Sequence, residues 1–230
     1  MQEPGNTQLH VEAVHVLAGD ANTFALASYT ARQDGGRDII MRIWMIAAAD
    51  LYTRLRQEGS LFTDPARAIP GFEDAYAWMR GEMARRLPHY QGHWPWWAWL
   101  HPPAGRSRPD LRARWAYHNG WSAGAECVRL GLDVPDADVL LSDFDLWHAV
   151  LNNGPLVSTD EDWDAIVALP DTERQAAKEA TWRRIFAINE PPDPYWHGEG
   201  EPVILQACFE TLRLADVREV TRFRARPTHH

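Results

Sequence analysis

The sequence predicts an α+β fold: one main domain with a mixed, mostly antiparallel sheet and several amphipathic helices. Three observations lead there. Period-two and helix-period segments both occur, but they do not alternate as regular βαβ units. Hydrophobic residues make up 45% of the chain and charged residues 24%, values of a folded domain rather than of a disordered or fibrous chain. A length of 230 residues suits a single large domain.

Taken in order, Leu9 to Leu17 alternates as a strand, and Thr23 to Thr30 pairs with it across the Gly19–Asn22 turn as a β-hairpin. Gly35-Gly36 breaks the chain. Met41 is a potential start, so residues 1–40 read as an N-terminal extension, 41–226 as the main α+β domain and 227–230 as a tail. Ile39 to Ile46 is a strand, followed by a helix to Glu58 that Gly59 ends. Phe72 to Leu87 carries Phe72, Ala75, Tyr76, Met79 and Met83 at helical spacing, and Pro88 stops it. Trp94 to His101 is an aromatic strand. Arg106 to Gly124 is polar, Arg-rich and interrupted by glycine, a long loop of the kind that often carries function. Strands follow at Glu126–Asp133 and Asp138–Leu141, then a helix from Ser142 to Asn152 that Asn153-Gly154-Pro155 ends. Two further helices (Asp160–Leu169, Thr172–Phe186), a break at Pro191-Pro192-Asp193-Pro194, and strands at Pro202–Leu212 and Val217–Arg224 complete the domain.

The formal net charge of -9 argues against non-specific DNA binding, which needs a basic face. Cys127 and Cys208 match no zinc spacing and sit in apolar runs, as buried reduced thiols do. No run reaches the ~20 apolar residues of a membrane span, and Met1 to Asn6 lacks a signal peptide's start. A cytoplasmic protein with no membrane partner is expected. Twelve Trp are an unusual load, whereas Lys178 is the single lysine among 23 basic residues.

Three constellations could carry chemistry. The string Ser142-Asp143-Phe144-Asp145-Leu146-Trp147-His148 offers two carboxylates and an imidazole, which could ligate a divalent metal or do acid–base work in a pocket wall. The same string also reads as a capping box, Ser142 with Asp145, with Asp143 favouring the helix dipole, and no spacing in the chain argues strongly for a metal. The run Trp94-Pro95-Trp96-Trp97-Ala98-Trp99 precedes Arg108-Pro109-Asp110-Leu111-Arg112, so Trp97 and Trp99 could stack a planar ring while Arg108 and Arg112 grip an anion. Core packing of the Trp and an internal Asp110–Arg112 pair are the plainer alternatives. Alternation on the late strand places Gln206, Cys208 and Glu210 on one face, a wet site or an edge. GxGxxG, P-loop, HExxH and GxSxG motifs are absent.

Arg42-Ile43-Trp44, Phe72 to Met79, Trp97-Ala98-Trp99, Arg108 to Arg112, Leu140 to Asn152, Trp182 to Phe186 and Leu205-Gln206-Ala207 together resemble a bacterial family known as domain of unknown function 3841. The resemblance spans roughly residues 41–225 and implies a small single domain without implying a reaction. The first forty residues and an insertion-like Ala113–Ala125 depart from it. A looser fold-level analogy links the Gly59-Ser60-Leu61 turn and the late Gln/Glu strand to ADP-ribosyltransferase-type domains. It implies NAD as cofactor, with Arg42 orienting it and Glu210 stabilising a cationic ribose. The middle Ser-Thr-Ser-like strand is missing, and Gln206 to Glu210 is wider than the usual Glx-x-Glu.

The expectation is an enzyme, a transferase or glycohydrolase, acting on a nucleotide or another planar anionic small molecule. Its catalytic candidates are Glu210, Asp145 and His148, and its ligand contacts are Arg42, Trp97, Trp99, Arg108, Asp110, Arg112, Trp147 and Gln206. A non-catalytic nucleotide-binding module and an acidic protein-binding regulator are the alternatives.

Overall fold

The computed structural model describes residues 39–63, 66, 70–102, 106–112, 122–198 and 200–226. The expected N-terminal hairpin, the 227–230 tail and most of the Ala113–Ala125 stretch lie outside the described residues. The chain runs β1 (Ile40–Ala48), α1 (Ala49–Glu58), β2 (Ser60–Leu61), α2 (Glu73–Arg86), β3 (Trp96–His101) and β4 (Glu126–Pro135). It continues with β5 (Val139–Asp143), α3 (Phe144–Leu151), α4 (Asp160–Val167), α5 (Asp171–Trp182), a 3-10 turn (Arg183–Phe186), β6 (Leu205–Phe209), β7 (Leu212–Arg213) and β8 (Val217–Arg224). This is an α+β architecture. Six strands form one sheet in the order β5-β6-β3-β1-β4-β8, and β2 pairs with β7 apart from it. Every strand pair is antiparallel.

Directly opposed residues share a face of a sheet, so one row can be followed across all six strands: Ser142, Gln206, Trp99, Trp44, Gly131, Glu219. The opposite face carries Ile43, Met45, Ala47, Ala98, Val128, Leu130, Leu132, Ala207 and Phe209, all buried, under Leu51 and Leu55 of α1. Gly59 ends α1 at φ 78°, with its N–H donating to the Leu55 carbonyl. A left-handed residue at that position is where glycine costs least. On the first face, Leu140 and Cys208 pack against Met79 and Met83 of α2, Leu146, Trp147 and Val150 of α3, and Trp182 and Ile185. The sheet is therefore covered on both sides, at least over its β5-β6-β3 half.

That coverage accounts for the Trp run. Trp96 falls on the α1 side, where its Nε1 donates to the Leu61 carbonyl at 3.2 Å. Trp97 falls on the other side, with its ring centre 5.8 Å from Tyr76 and 5.0 Å from Trp147. Trp94 bridges to Thr63 ahead of the strand and lies under the Arg80 guanidinium. Trp44 lies flat over its neighbour on β4: a Cβ at Gly131 would stand 2.8 Å from the Trp44 ring. No larger residue fits there without moving the indole.

Helix α2 is tied to the 3-10 turn by Glu82, which is 1% exposed and paired with Arg85, Arg86 and Arg183. Burial raises the Glu82 carboxyl, but hydrogen bonds from the three guanidinium groups outweigh it and hold the group below its ordinary value of about 4.5. A depressed carboxyl contributes stability that is present above the unfolded value and lost as pH falls through the folded one. Glu82→Gln should therefore cost about 2 kcal/mol at neutral pH, the Arg partners being half-exposed and free to rehydrate. In urea unfolding, the gap to the wild type should close as the pH is lowered below about 4.5. A gap independent of pH would show that shape, not charge, sets the cost.

Candidate functional site

Strand β5 ends and α3 begins at Asp143, and this junction differs from the expected capping box. Ser142 is still in β5, fully buried, and its Oγ accepts from Gln206 Nε2 at 3.1 Å. Asp143, one residue later, is the N-cap: its Oδ1 accepts the N–H groups of Asp145 and Leu146 at 2.9 and 3.1 Å. The displacement by one residue follows from the pairing of β5 with β6, which runs on to Asp143 opposite Leu205. Asp145 then sits in the first turn of α3 with its side chain free of the capping task.

The second oxygen of Asp143 meets a residue that the sequence pattern did not indicate. His197 Nε2 lies 2.7 Å from Asp143 Oδ2, and His197 Nδ1 lies 3.1 Å from the Asp193 carbonyl oxygen. Both side chains of the pair are buried. Each ring nitrogen thus faces an acceptor oxygen, the Asp193 carbonyl at Nδ1 and the Asp143 carboxylate at Nε2. The hydrogen bond to Asp143 raises the His197 imidazole above its ordinary range. His197 is held in place by its loop. The Asp193 carboxylate accepts from Ser158 Oγ, Arg184 Nη2 and the Tyr195 N–H, and Trp196 Nε1 donates to the Val157 carbonyl. The Pro191–Pro194 break is thus the mount for a histidine.

Asp145 completes the group. One ligand-type atom from each of Asp143, Asp145 and His197 lies within 4.8 Å of the others. The Asp145 carboxylate is half-buried and accepts no hydrogen bond from the described residues. Burial first, and then the Asp143 charge, raises its carboxyl above the ordinary range. Beside it, Phe144 makes edge contacts with Trp99 at 4.8 Å and with His148 at 4.5 Å, and His148 is exposed.

The structure thus brings four of the expected residues, Asp145, His148, Trp99 and Gln206, to one end of the β5-β6-β3 half. The others lie elsewhere. Trp97 and Trp147 pack in the core under α2 and α3, with Trp147 3% exposed. Glu210 follows β6 at the opposite end of the sheet, and its carboxylate accepts the backbone N–H groups of Gln91 and His93 at 2.7 to 3.0 Å. Arg42 pairs with Asp133 near the His101 end of β3, so Arg42 and Glu210 are not brought together.

Arg108, Asp110 and Arg112 form a separate basin with Arg106 and the buried Arg129, a depression of about 260 Å³. Asp110 grips Arg112 bidentately, with both bonds at 3.0 Å, and this pairing holds the Asp110 carboxyl far below the usual range. Arg108 and Arg129 share Glu219. Three strands separate β4, which carries Arg129, from β5. At ~4.8 Å per strand that is about 19 Å.

A protein-family model described as a domain of unknown function (DUF3841) matches residues 42–168, more than half of the chain. Asp143 and Asp145 lie inside the matched stretch and His197 beyond it. No curated protein and no solved structure matches the chain.

Asp143→Ala should remove both the α3 cap and the partner of His197, at a cost of about 2–3 kcal/mol. Asp143→Asn keeps an oxygen for the cap and should cost about 1 kcal/mol. Urea unfolding of the two variants measures the difference. Equal costs would mean that the contact to His197, not the cap, dominates.

Proposed function

We propose that this chain, which belongs to the DUF3841 family, is an enzyme whose working centre is the Asp143–Asp145–His197 cluster at the start of α3. The observation that carries this reading is Asp145: a half-buried carboxylate, without a hydrogen bond from the described residues, set against a buried Asp–His pair. A half-buried carboxylate that no described residue holds, open to solvent beside a fixed imidazole, is an arrangement suited to reacting groups. The wall of Trp99, Phe144 and His148 suits a planar substrate, in keeping with a nucleotide or nucleoside. Asp145 is the group that reaches substrate; Asp143 and His197 hold the local charge and geometry. Product analysis against nucleosides, nucleotides and NAD, in buffer containing divalent cations, tests this. Asp145→Asn should lower turnover about 100-fold or more while leaving the melting temperature unchanged or raised. Undiminished turnover in that variant would remove Asp145 from the chemistry.

A second reading rests on the arginine basin. Four guanidinium groups (Arg106, Arg108, Arg112, Arg129) face two carboxylates (Asp110, Glu219) there, in a chain of net charge -9. A local excess of positive charge favours an anionic ligand, which supports a nucleotide-binding role without catalysis. Adenosine monophosphate at 100 times its dissociation constant should stabilise the fold by about 2.7 kcal/mol, and Arg106→Ala with Arg112→Ala should abolish that gain. Stabilisation that survives the double substitution would place the ligand elsewhere.

A further inference from the structure

We propose that Asp143, Asp145 and His197 form the protein part of a site for a first-row divalent cation, with two carboxylate oxygens and one imidazole nitrogen as ligands. The inference concerns the same centre as the proposed function and rests on its reading as the place where the chain does its work. Three features of the geometry point to it.

The first is which atoms remain available. Asp143 Oδ1 is taken by the N–H groups of Asp145 and Leu146, and His197 Nδ1 by the Asp193 carbonyl oxygen. Oδ2 and Nε2 are left facing each other at 2.7 Å, and one ligand-type atom from each of Asp143, Asp145 and His197 lies within 4.8 Å of the others. A histidine that donates through one nitrogen to a backbone carbonyl and presents the other inward is oriented as metal-ligating histidines are. The second is charge. With Nε2 and both carboxylates deprotonated, the three side chains sum to two negative charges, which a divalent cation neutralises. Any proton on Nε2 leaves to solvent as the cation enters, so no other reactant is needed.

The third is size. Two ligands at about 2.1 Å from an ion stand at most about 4.2 Å apart. The present limit of 4.8 Å closes with a shift of under about 1 Å, and Asp145, which has no hydrogen bond to lose, is the side chain able to make it. Mixed oxygen and nitrogen donors of this kind suit Mn²⁺ or Zn²⁺ better than a thiolate-preferring ion. Three protein ligands leave coordination positions open to a substrate. His148, named with the two aspartates in the sequence string, is not one of the three clustered ligands: it is exposed, and its ring meets Phe144. A histidine about fifty residues further along takes its place.

The test is titration of purified full-length protein with Mn²⁺, followed by electron paramagnetic resonance and by calorimetry, with Zn²⁺ as competitor. His229→Ser with His230→Ser serves as the background, since a terminal histidine pair binds metal unspecifically. One saturable Mn²⁺ per chain is expected, with affinity falling at least about tenfold in both Asp145→Asn and His197→Gln. Asp145→Asn removes no hydrogen bond and keeps the fold, so it decides the matter even where His197→Gln unfolds. No saturable binding to the background protein, or equal binding by Asp145→Asn, overturns the site. Turnover that depends on Asp145 in a protein that binds no Mn²⁺ would overturn the metal alone and leave the enzyme. Mn²⁺ binding that depends on Asp145 in a protein without turnover would uphold the site and remove the enzyme.

Discussion

The β5-β6-β3 half of the sheet is buried on two faces, and much of the molecule follows from that constraint. A sheet with one wet face needs apolar side chains at alternate positions only. Here β3 must supply both sides at once, and its consecutive Trp96 and Trp97 belong to different cores. The row from Ser142 to Glu219 shows how the second face changes character along its length. Toward β5 it lies under α2 and α3. Toward β8 it carries Trp44 over Gly131, with the guanidinium groups of Arg42 and Arg129 5.9 and 5.3 Å from the Trp44 ring. Aromatic faces and cations do there what helices do at the other end.

A fold packed in this way buries polar groups as well, and several carboxylates are satisfied by partners from other elements. Glu82 has three guanidinium partners, and Glu210 has two backbone N–H groups from another segment. Asp143 divides its oxygens between a helix cap and an imidazole. Each of these carboxylates joins elements distant in sequence, and its partners account for its burial. Asp145 has no such partner, although burial works against its charge. A carboxylate in the first turn of α3 favours the helix dipole, and that is what it offers the fold there.

Much of the fold was legible in the sequence because its segments are strongly periodic. Helix α2 was expected over Phe72–Leu87 and spans Glu73–Arg86; β8 was expected and found at Val217–Arg224. Gly59 ends α1 as its position suggested. The site was legible only in part. The string Asp143–His148 was recognisable as a polar group in an apolar setting, but the cap moved by one residue because strand pairing, which depends on β6, carried Ser142 into the sheet. The aromatic run left core packing and a ligand pocket both open; the structure puts Trp97 and Trp147 in a second core and Trp99 beside Phe144. Glu210 looked like a catalytic residue because alternation reports the face a side chain occupies, not the backbone amides that meet it there.

His197 shows most plainly what local pattern omits. It belongs to no periodic segment, lies beyond the stretch matched by the family model, and follows a proline-rich break. Its position depends on contacts that sequence spacing does not record. Asp193 turns the chain onto Ser158 and Arg184, Trp196 locks against Val157, and the imidazole arrives at Asp143. Those anchors come from the segments flanking α4 and α5, a part of the chain that also supplies Leu156, Trp182 and Ile185 to the core. The second half of the domain therefore has a definite task beyond covering the core. It brings one imidazole, in one orientation, to the two carboxylates that β5 and α3 have already set in place.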